Sequence, residues 1–127
     1  MKKAIYPADA STTVGPYSPA VEVDNRTLYV SGQIPLDPQT GKIVGDDIVG
    51  QTEQVFRRLN AVLAAGGYTL ADVVKATVFL TDMNDFAAMN EVYGRHLASA
   101  CLPARSAFQV AQLPRGVKIE IEVVAMK

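Results

Sequence analysis

The chain has 127 residues and a mass of 13.6 kDa, the usual size of a single domain with one hydrophobic core. Hydrophobic residues make up 49% of the chain and charged residues 20%, which excludes a disordered polymer. Twelve basic and 13 acidic side chains leave a net charge of −1, which argues against electrostatic binding to nucleic acid. The single cysteine and single histidine exclude an internal disulfide and a multi-histidine metal site.

The N-terminal residues do not resemble a targeting segment. Two lysines follow Met1, but no apolar stretch of the kind found in signal peptides intervenes before Asp9. No apolar run approaches the roughly 20 residues that a membrane span needs. Without repeats or a shift in composition that would mark a linker, we expect one domain over residues 1–127, located in the cytoplasm.

The first third of the chain has the pattern of paired strands. Apolar runs at 21–23 and 28–30 flank residues 24–26, Asp-Asn-Arg, which predicts a β-hairpin with turn-forming residues at its tip. Prolines and a glycine after Gln33 predict a loop or a second hairpin that returns at residues 43–44.

The next segment has the pattern of an amphipathic helix that Asp46 or Asp47 would cap. Its predicted apolar face consists of Val55, Phe56, Leu59, Val62 and Leu63. The residues that fall mainly on its other faces are Gln54, Arg57, Arg58 and Asn60. The pair Gly66-Gly67 is expected to end the helix.

Residues 73–81 are rich in apolar and β-branched side chains, which predicts a strand. Simple alternation places Val73 and Phe79 on one face and the apolar residues Val74, Ala76, Val78 and Leu80 on the other. Because both faces are then apolar, both need to be covered.

A second helix is expected to begin near Asp82 or Asn84, either of which can cap it. Its predicted apolar stripe consists of Phe86, Met89, Tyr93 and Leu97. Residues 106–111 predict a short strand, and 117–125 alternate as in a half-buried strand.

The order of strands, helix, strand, helix and strands predicts an α+β domain with a mixed sheet and two helices on one face. With no third helix available, the other face has to be solvated or buried by a second chain. The two-sided apolar pattern of 73–81 favours an oligomer.

The usual catalytic templates find little support. His96 is placed near the end of the second helix, where a structural role is favoured over that of a general base. Cys101 has no evident activating neighbour and reads as a small apolar filler. The glycines at 15, 32 and 41 form no phosphate-binding motif.

Two polar side chains fall where apolar ones are expected. Asn90 lies on the apolar stripe of the second helix, where its amide needs a partner; it either fixes a nearby loop or lines a site. Arg105 lies at the start of a short apolar strand and needs a carboxylate partner. That partner is either an internal acid or the carboxylate of a ligand, which the planar guanidinium suits.

Glu120 and Glu122 are two residues apart on a predicted strand and therefore share one face, about 7 Å from each other. Two like charges this close raise the pKa of the more enclosed carboxyl, which suits acid–base chemistry. The alternative is a solvated polar face of an edge strand.

Several ordered motifs together resemble one known family. They are Gly-Pro-Tyr-Ser at 15–18, Ser-Gly-Gln-Ile-Pro at 31–35, Asp-Met-Asn-Asp-Phe-Ala at 82–87, Pro-Ala-Arg-Ser at 103–106, Leu-Pro at 113–114, Val-Lys-Ile-Glu-Ile-Glu at 117–122 and Ala125. Across essentially its whole length the chain is similar to the RidA (YjgF) family of reactive-intermediate deaminases, also called 2-iminobutanoate/2-iminopropanoate deaminases.

The resemblance implies a chorismate-mutase-like α+β fold and a homotrimer with three sites in clefts between subunits. It implies hydrolysis of 2-imino acids such as 2-iminopropanoate and 2-iminobutanoate, and of enamines such as 2-aminoacrylate, to 2-keto acids and ammonia. It implies no metal or organic cofactor. Some relatives are described as translation inhibitors or ribonucleases, but the slight acidity of this chain and its lack of a basic patch argue against nucleic acid as a partner. The lack of a long apolar run argues against a membrane. A non-catalytic carboxylate-binding, regulatory or chaperone-like member of the same family is the alternative.

The resemblance also implies roles for individual residues. Arg105 matches the arginine that binds the substrate carboxylate, and Glu120 matches the glutamate that activates water. Tyr17 matches the site tyrosine, Asn90 the pocket asparagine, and Gly32 the glycine whose backbone faces the ligand.

Two positions depart from the family pattern. Ala107 stands where many deaminating members have cysteine; it keeps the backbone N–H that is thought to bind substrate, so no thiol-dependent behaviour is expected. Phe108 is bulkier than the usual aliphatic residue and is expected to alter packing behind the site.

Overall fold

The computed structural model describes residues 1–10, 12–99 and 101–127. It contains strands β1 (Lys2–Ile5), β2 (Ala20–Val23), β3 (Thr27–Gln33), β4 (Val73–Leu80), β5 (Ala104–Gln109) and β6 (Ile119–Met126). Its two α-helices are α1 (Ile48–Ala65) and α2 (Phe86–His96). The strands form one mixed sheet in the order β1-β2-β3-β6-β4-β5, in which β4 and β5 pair in parallel and the other neighbours antiparallel.

The predicted N-terminal hairpin is confirmed. The Arg26 N–H donates to the Val23 carbonyl at 3.1 Å, and the two residues between them, Asp24 and Asn25, have φ of 54° and 55°. Positive φ at both central positions gives the turn a twist that matches the strands it joins. The hairpin continues outward into β1, a strand that the sequence pattern did not predict because Ile5 is its only buried residue.

The second hairpin is present in reduced form. Leu36 pairs with Ile43 as an isolated bridge, and the Val44 N–H donates to the Pro35 carbonyl at 2.8 Å. This short excursion leads directly into α1.

Helix α1 begins and ends as the sequence predicts. The Asp47 carboxylate accepts the Gly50 N–H at 2.8 Å and so caps the first turn. Gly67 follows the last turn with φ of 81°, a conformation that glycine adopts without strain.

The prediction for the other faces of α1 is wrong at two positions, since Gln54 and Arg58 are each only 8% exposed. Gln54 donates to the Leu36 carbonyl at 2.9 Å, and Arg58 pairs with Asp9. Each polar group is buried because a distant segment supplies its partner, which helical periodicity cannot reveal.

Strand β4 has one strongly buried face, which lies under the helices together with β6. Its fully buried members include Ala76, Val78, Leu80, Ile119 and Ile121. A register shift between Val73 and Lys75 places Val73 on this face and turns Val74 outward. Grouping Val73 with Phe79 was therefore wrong, because a bulge interrupts the alternation.

The opposite face of the sheet carries none of the described helices and is mixed in character. Lys75 and Thr77 lie on it in β4, so that face of β4 is less apolar than expected. Phe79 and Phe108 meet edge to face there, with ring centroids 5.3 Å apart. We call this surface the open face.

The C-terminal half follows the predicted order with shifted boundaries. Asp82 caps a 3₁₀ turn by accepting the Asn84 N–H at 2.9 Å, and α2 begins after that turn. Strand β5 begins and ends two residues earlier than predicted, which places Arg105 inside the strand. Strand β6 alternates between buried and outward-facing residues as predicted.

None of the described helices is long and apolar enough to cross a membrane.

Candidate functional site

The Glu120 carboxylate lies directly against Gly32, where β6 runs beside the end of β3. A Cβ at residue 32 would overlap the Glu120 Oε2 atom and lie 2.7 Å from its Cδ. Any larger residue would displace the carboxylate, so the glycine is what allows it to occupy this place.

Glu120 is half-buried, and its electrostatic surroundings favour the protonated form. Burial and, to a lesser degree, the Glu122 carboxylate raise the pKa of Glu120 above its usual range. Glu122 lies two residues further along the same face and is exposed, as strand periodicity predicts. A carboxyl whose pKa moves toward neutrality can both accept and return a proton.

A cavity of about 780 Å³ opens beside this carboxylate. Tyr17, Gly32 and Glu120 all line it, so the structure brings three of the predicted site residues together. Tyr17 reaches it from the irregular segment between β1 and β2 and is 50% exposed. Much of the remaining lining is apolar and includes Val14, Pro19, Ile34 and Leu36.

Arg105 and Asn90, two other predicted site residues, form a second cluster. The Arg105 Nη1 donates to the Asn90 Oδ1 at 2.7 Å, across β5 and α2. The guanidinium carbon lies 4.8 Å from the ring centroid of Tyr93 and 5.4 Å from that of Phe86. Two aromatic faces and one amide therefore orient the cation.

The internal ion pair considered for Arg105 is absent from the described part of the chain. No described carboxylate lies within 4.0 Å of the half-buried guanidinium, although Arg58 and Asp9 do form such a pair. Because Asn90 occupies only Nη1, the other N–H groups of Arg105 have no protein acceptor among the described residues.

The residues that follow Arg105 alternate between faces. Ala107 lies on the helix side, where it packs against the core, two residues from Arg105. Phe108 points to the open face and is 47% exposed. Strand alternation directs Phe108 and Arg105 to opposite faces of the sheet, so the expectation that Phe108 alters packing behind the site stays a prediction.

Arg105 and Glu120 lie on opposite faces of the sheet. Arg105 is in register with Ala76 on the buried helix side, whereas Glu120 is in register with Phe79 on the open side. Strand β4 also separates β5 from β6, so their backbones are roughly 10 Å apart. A small ligand therefore cannot contact both side chains within one chain.

The two remaining candidates, His96 and Cys101, belong to neither cluster of site residues. His96 pairs with the Glu53 carboxylate and stacks on Phe56 with ring centroids 4.5 Å apart. The hydrogen bond from His96 is the main cause that lowers the pKa of Glu53. Cys101 is exposed, so the interpretation of it as an apolar filler is wrong.

Sequence reasoning missed the roles of Phe86, Tyr93 and Arg58. Phe86 and Tyr93 were assigned only to the apolar stripe of α2, yet they lie four residues before and three after Asn90. That helical spacing places all three on one face and is the signal that points to an aromatic surround for a cation. For Arg58 the sequence contains no comparable signal.

A family model described as "Endoribonuclease L-PSP" matches residues 7–127 of the chain. A RutC family protein of Pyrococcus horikoshii is 50% identical over 127 residues, which cover 100% of this chain and 99% of that protein. The 2-iminobutanoate/2-iminopropanoate deaminase of Mus musculus is 46% identical over 127 residues, covering 100% and 93%.

The crystal structure of a putative endoribonuclease from Thermotoga maritima superposes with a TM-score of 0.93 at 51% identity, covering 100% of this chain and 98% of that one. These matches confirm the predicted chorismate-mutase-like α+β fold. The relatives carry three different functional names, so their names alone do not specify an activity.

Two buried tyrosines provide a matched test of the packing around Arg105. The Tyr93 hydroxyl is buried without a hydrogen-bond partner among the described residues. The Tyr68 hydroxyl donates to the buried Glu22 at 2.8 Å, and burial followed by this bond raises the pKa of Tyr68 to about 12. We expect Tyr93→Phe to leave the free energy of unfolding unchanged or raise it by up to about 1 kcal/mol, and Tyr68→Phe to lower it by about 1–3 kcal/mol.

Urea unfolding followed by far-UV circular dichroism measures both changes. Equal losses in the two variants would contradict the assignment, because they would show that the Tyr93 hydroxyl has an unseen partner.

Proposed function

Because the chain belongs to the RidA/YjgF family, we propose that it hydrolyses reactive 2-imino acids and their 2-enamine tautomers to 2-keto acids and ammonia. The observation that carries this proposal is the Arg105 guanidinium, oriented by Asn90 and two rings yet without a carboxylate partner among the described residues. The name of the mouse relative, 46% identical, supports the same activity.

Arg105 is suited to hold the carboxylate of the substrate. A planar guanidinium binds a carboxylate through two parallel N–H···O bonds, and its remaining N–H groups are available for this. Phe86 and Tyr93 restrict the plane of the guanidinium, so the bound acid has a fixed orientation. Fixing the substrate in this way turns the attack of water into an oriented event.

Glu120 is suited to activate that water. The carboxylate accepts a proton from water as the oxygen forms a bond to the imine carbon, and the electron pair of the C=N π bond moves to nitrogen. Starting from the protonated imine, Glu120 then returns the proton to nitrogen. The hydroxyl of the intermediate gives its own proton to Glu120 as the C=O bond forms and the C–N bond breaks. Ammonia then leaves a 2-keto acid and carries the remaining proton away as ammonium. One water is consumed and no electrons are gained or lost.

Tyr17 and Gly32 complete the water-activating side. Gly32 leaves room for the Glu120 carboxylate, and Tyr17 borders the same cavity. Apolar neighbours keep this region of low polarity, which raises the pKa of Glu120 and strengthens its interaction with a positive iminium.

Since Arg105 and Glu120 lie on opposite faces of one chain, we propose that the site forms between two copies in a homotrimer. One copy would supply Arg105, Asn90 and Ala107, and its neighbour Tyr17, Gly32 and Glu120. The open face, with exposed Phe108 and Tyr29, is the surface that such an assembly would cover.

A non-catalytic carboxylate-binding role is the second candidate, and the completeness of the Arg105–Asn90 cluster within one chain favours it. Binding of a small carboxylate there requires no base. The two candidate functions differ in one respect. Only the hydrolytic function predicts turnover of imines, and that turnover depends on Glu120.

The first functional prediction concerns Arg105→Ala. We expect kcat/KM for imine hydrolysis to fall about 10²-fold or more while the melting temperature stays near that of the parent, because no described ion pair is lost. Imines are generated in place by a threonine dehydratase, keto acid is followed, and the spontaneous rate is subtracted. Arg26→Ala, which removes an exposed arginine in the hairpin turn, is the control. Marked destabilisation with near-normal turnover would reject the role in substrate binding.

The second functional prediction distinguishes the roles of Glu120 and Glu122. Glu120→Gln keeps the shape of the side chain but removes the base, so kcat is expected to fall about 10²–10⁴-fold. Glu122→Gln should keep most activity.

The Glu122→Gln substitution should also shift the acid limb of the pH–rate profile. Activity requires deprotonated Glu120 and so rises with pH through its raised pKa; removing the Glu122 charge removes one cause of that rise and moves the limb to lower pH. Inactive Glu122→Gln beside active Glu120→Gln would reverse the assignment.

The third tests the shared site directly. Arg105→Ala and Glu120→Gln subunits are each expected to be inactive alone. Unfolding and refolding them together should restore activity, because about one quarter of interfaces in a random equal mixture would pair an intact Arg105 with an intact Glu120. Mixed assemblies that form, as native mass spectrometry would show, but remain inactive would contradict a site built from two copies.

A further inference from the structure

Arg58 is a buried cation that the proposed mechanism does not use. Its side chain is 9% exposed, and both terminal nitrogens bond the Asp9 carboxylate, Nη1 to Oδ2 at 2.8 Å and Nη2 to Oδ1 at 3.1 Å. Asp9 belongs to the irregular segment between β1 and β2, 49 positions away in the sequence. Arg58 lies on α1, so this two-pronged contact connects the segment to a rigid helix.

The described residues of that segment, 6–10 and 12–17, have few other polar connections. Within the segment, the Thr13 hydroxyl lies 2.9 Å from the Gly15 carbonyl oxygen and 2.7 Å from that of Tyr17. Its C-terminal end is held just beyond Tyr17, where the Ser31 hydroxyl donates to the Ser18 carbonyl at 2.7 Å. Among the described residues, the Asp9–Arg58 pair is the only hydrogen-bonded contact that joins 6–17 to the rest of the chain.

The same segment forms one wall of the cavity that holds Glu120. Its lining residues are Pro7, Ala10, Thr13, Val14 and Tyr17. Arg58 lines the cavity as well, together with Glu120. The ion pair is therefore at the place where the wall joins the helix.

We propose that the Asp9–Arg58 pair is a latch that holds residues 6–17 as the wall of the Glu120 cavity and so positions Tyr17. The role of Tyr17 in this proposal rests on the proposed function, whereas the anchoring of the segment by the ion pair is independent of it. Asp9 and Arg58 are positioning residues, because they act through the segment and not on a bound ligand.

An ion pair suits this purpose better than an apolar contact. A partly buried pair loses much of its attraction to desolvation, so its contribution to stability is small. Its bidentate geometry nevertheless permits one orientation, whereas an apolar side chain at position 9 would allow the segment to slide. Asp9 also compensates the charge of Arg58, which lines the same cavity as Glu120.

The latch has a specific kinetic signature. If the competent position of the segment is populated for only a fraction of the time, the apparent affinity for substrate falls by that fraction. Chemistry in the bound complex is then less affected than binding. Loss of the latch should therefore raise KM about tenfold and change kcat less.

The experiment compares Asp9→Asn, Arg58→Met and the double variant with two controls. Arg57→Met removes the adjacent, exposed arginine of α1, and Asp24→Asn removes an exposed aspartate that pairs with the N-terminal amine. Chymotrypsin cleavage after Tyr17, mapped by mass spectrometry, reports opening of the segment. Cleavage after Phe79 in β4 reports unfolding of the sheet, and steady-state imine hydrolysis gives KM and kcat.

We expect both single variants to accelerate cleavage after Tyr17 by about tenfold or more without accelerating cleavage after Phe79, while the controls change neither. In the double variant, cleavage after Tyr17 should be no faster than in the faster-cleaved single variant, because both substitutions break the same contact. Unchanged cleavage after Tyr17, or effects that multiply in the double variant, would overturn the latch.

Faster cleavage with unchanged KM would overturn the positioning of Tyr17. If the parent protein hydrolyses no imine, the proposed function fails, and the cleavage rates still decide whether the pair anchors the segment.

Discussion

The placement of the two candidate charges, Glu120 and Arg105, depends on the alternation of residues along the central strand β6 and its neighbours. Its odd-numbered residues, Ile119, Ile121 and Val123, are buried beneath the two helices. Glu120 and Glu122 must then project from the other face. The same constraint acts through β4 on β5, where the register with Ala76 directs Arg105 toward α2. The separation of the two charges is thus a consequence of forming the sheet, and no local rearrangement of side chains can bring them together.

The structure treats its enclosed charges in two ways. Arg58 is bonded through both terminal nitrogens to one carboxylate, which leaves its charge compensated and its position determined. Arg105 is oriented by an amide and by aromatic faces, none of which neutralises it, and Glu120 has a like charge as its charged neighbour. A charge that is paired within the protein fixes the position of its side chain. A charge that is not paired there can still interact favourably with a ligand.

Features set by local periodicity could be predicted from the sequence. The hairpin turn at Asp24, the stripe of α2 and the shared face of the two glutamates all depend on neighbours within a few residues. The grouping of Val73 with Phe79 failed because one bulge reverses the alternation. The partners of Arg58 and Arg105 could not be predicted, because the contact of Arg58 with Asp9 spans 49 positions and that of Arg105 with Asn90 spans 15.

The position of β6 between β3 and β4 also bears on how the chain folds. The β2–β3 hairpin closes over a short loop, and β4, α2 and β5 form a second unit that is contiguous in sequence. Neither unit includes the strand that joins them, since β6 pairs with β3 across a long stretch of chain. Closing that distance costs loop entropy before any contact compensates it. Pairing of β6 therefore makes each half of the sheet depend on the other, and the strand that carries Glu120 also unites them.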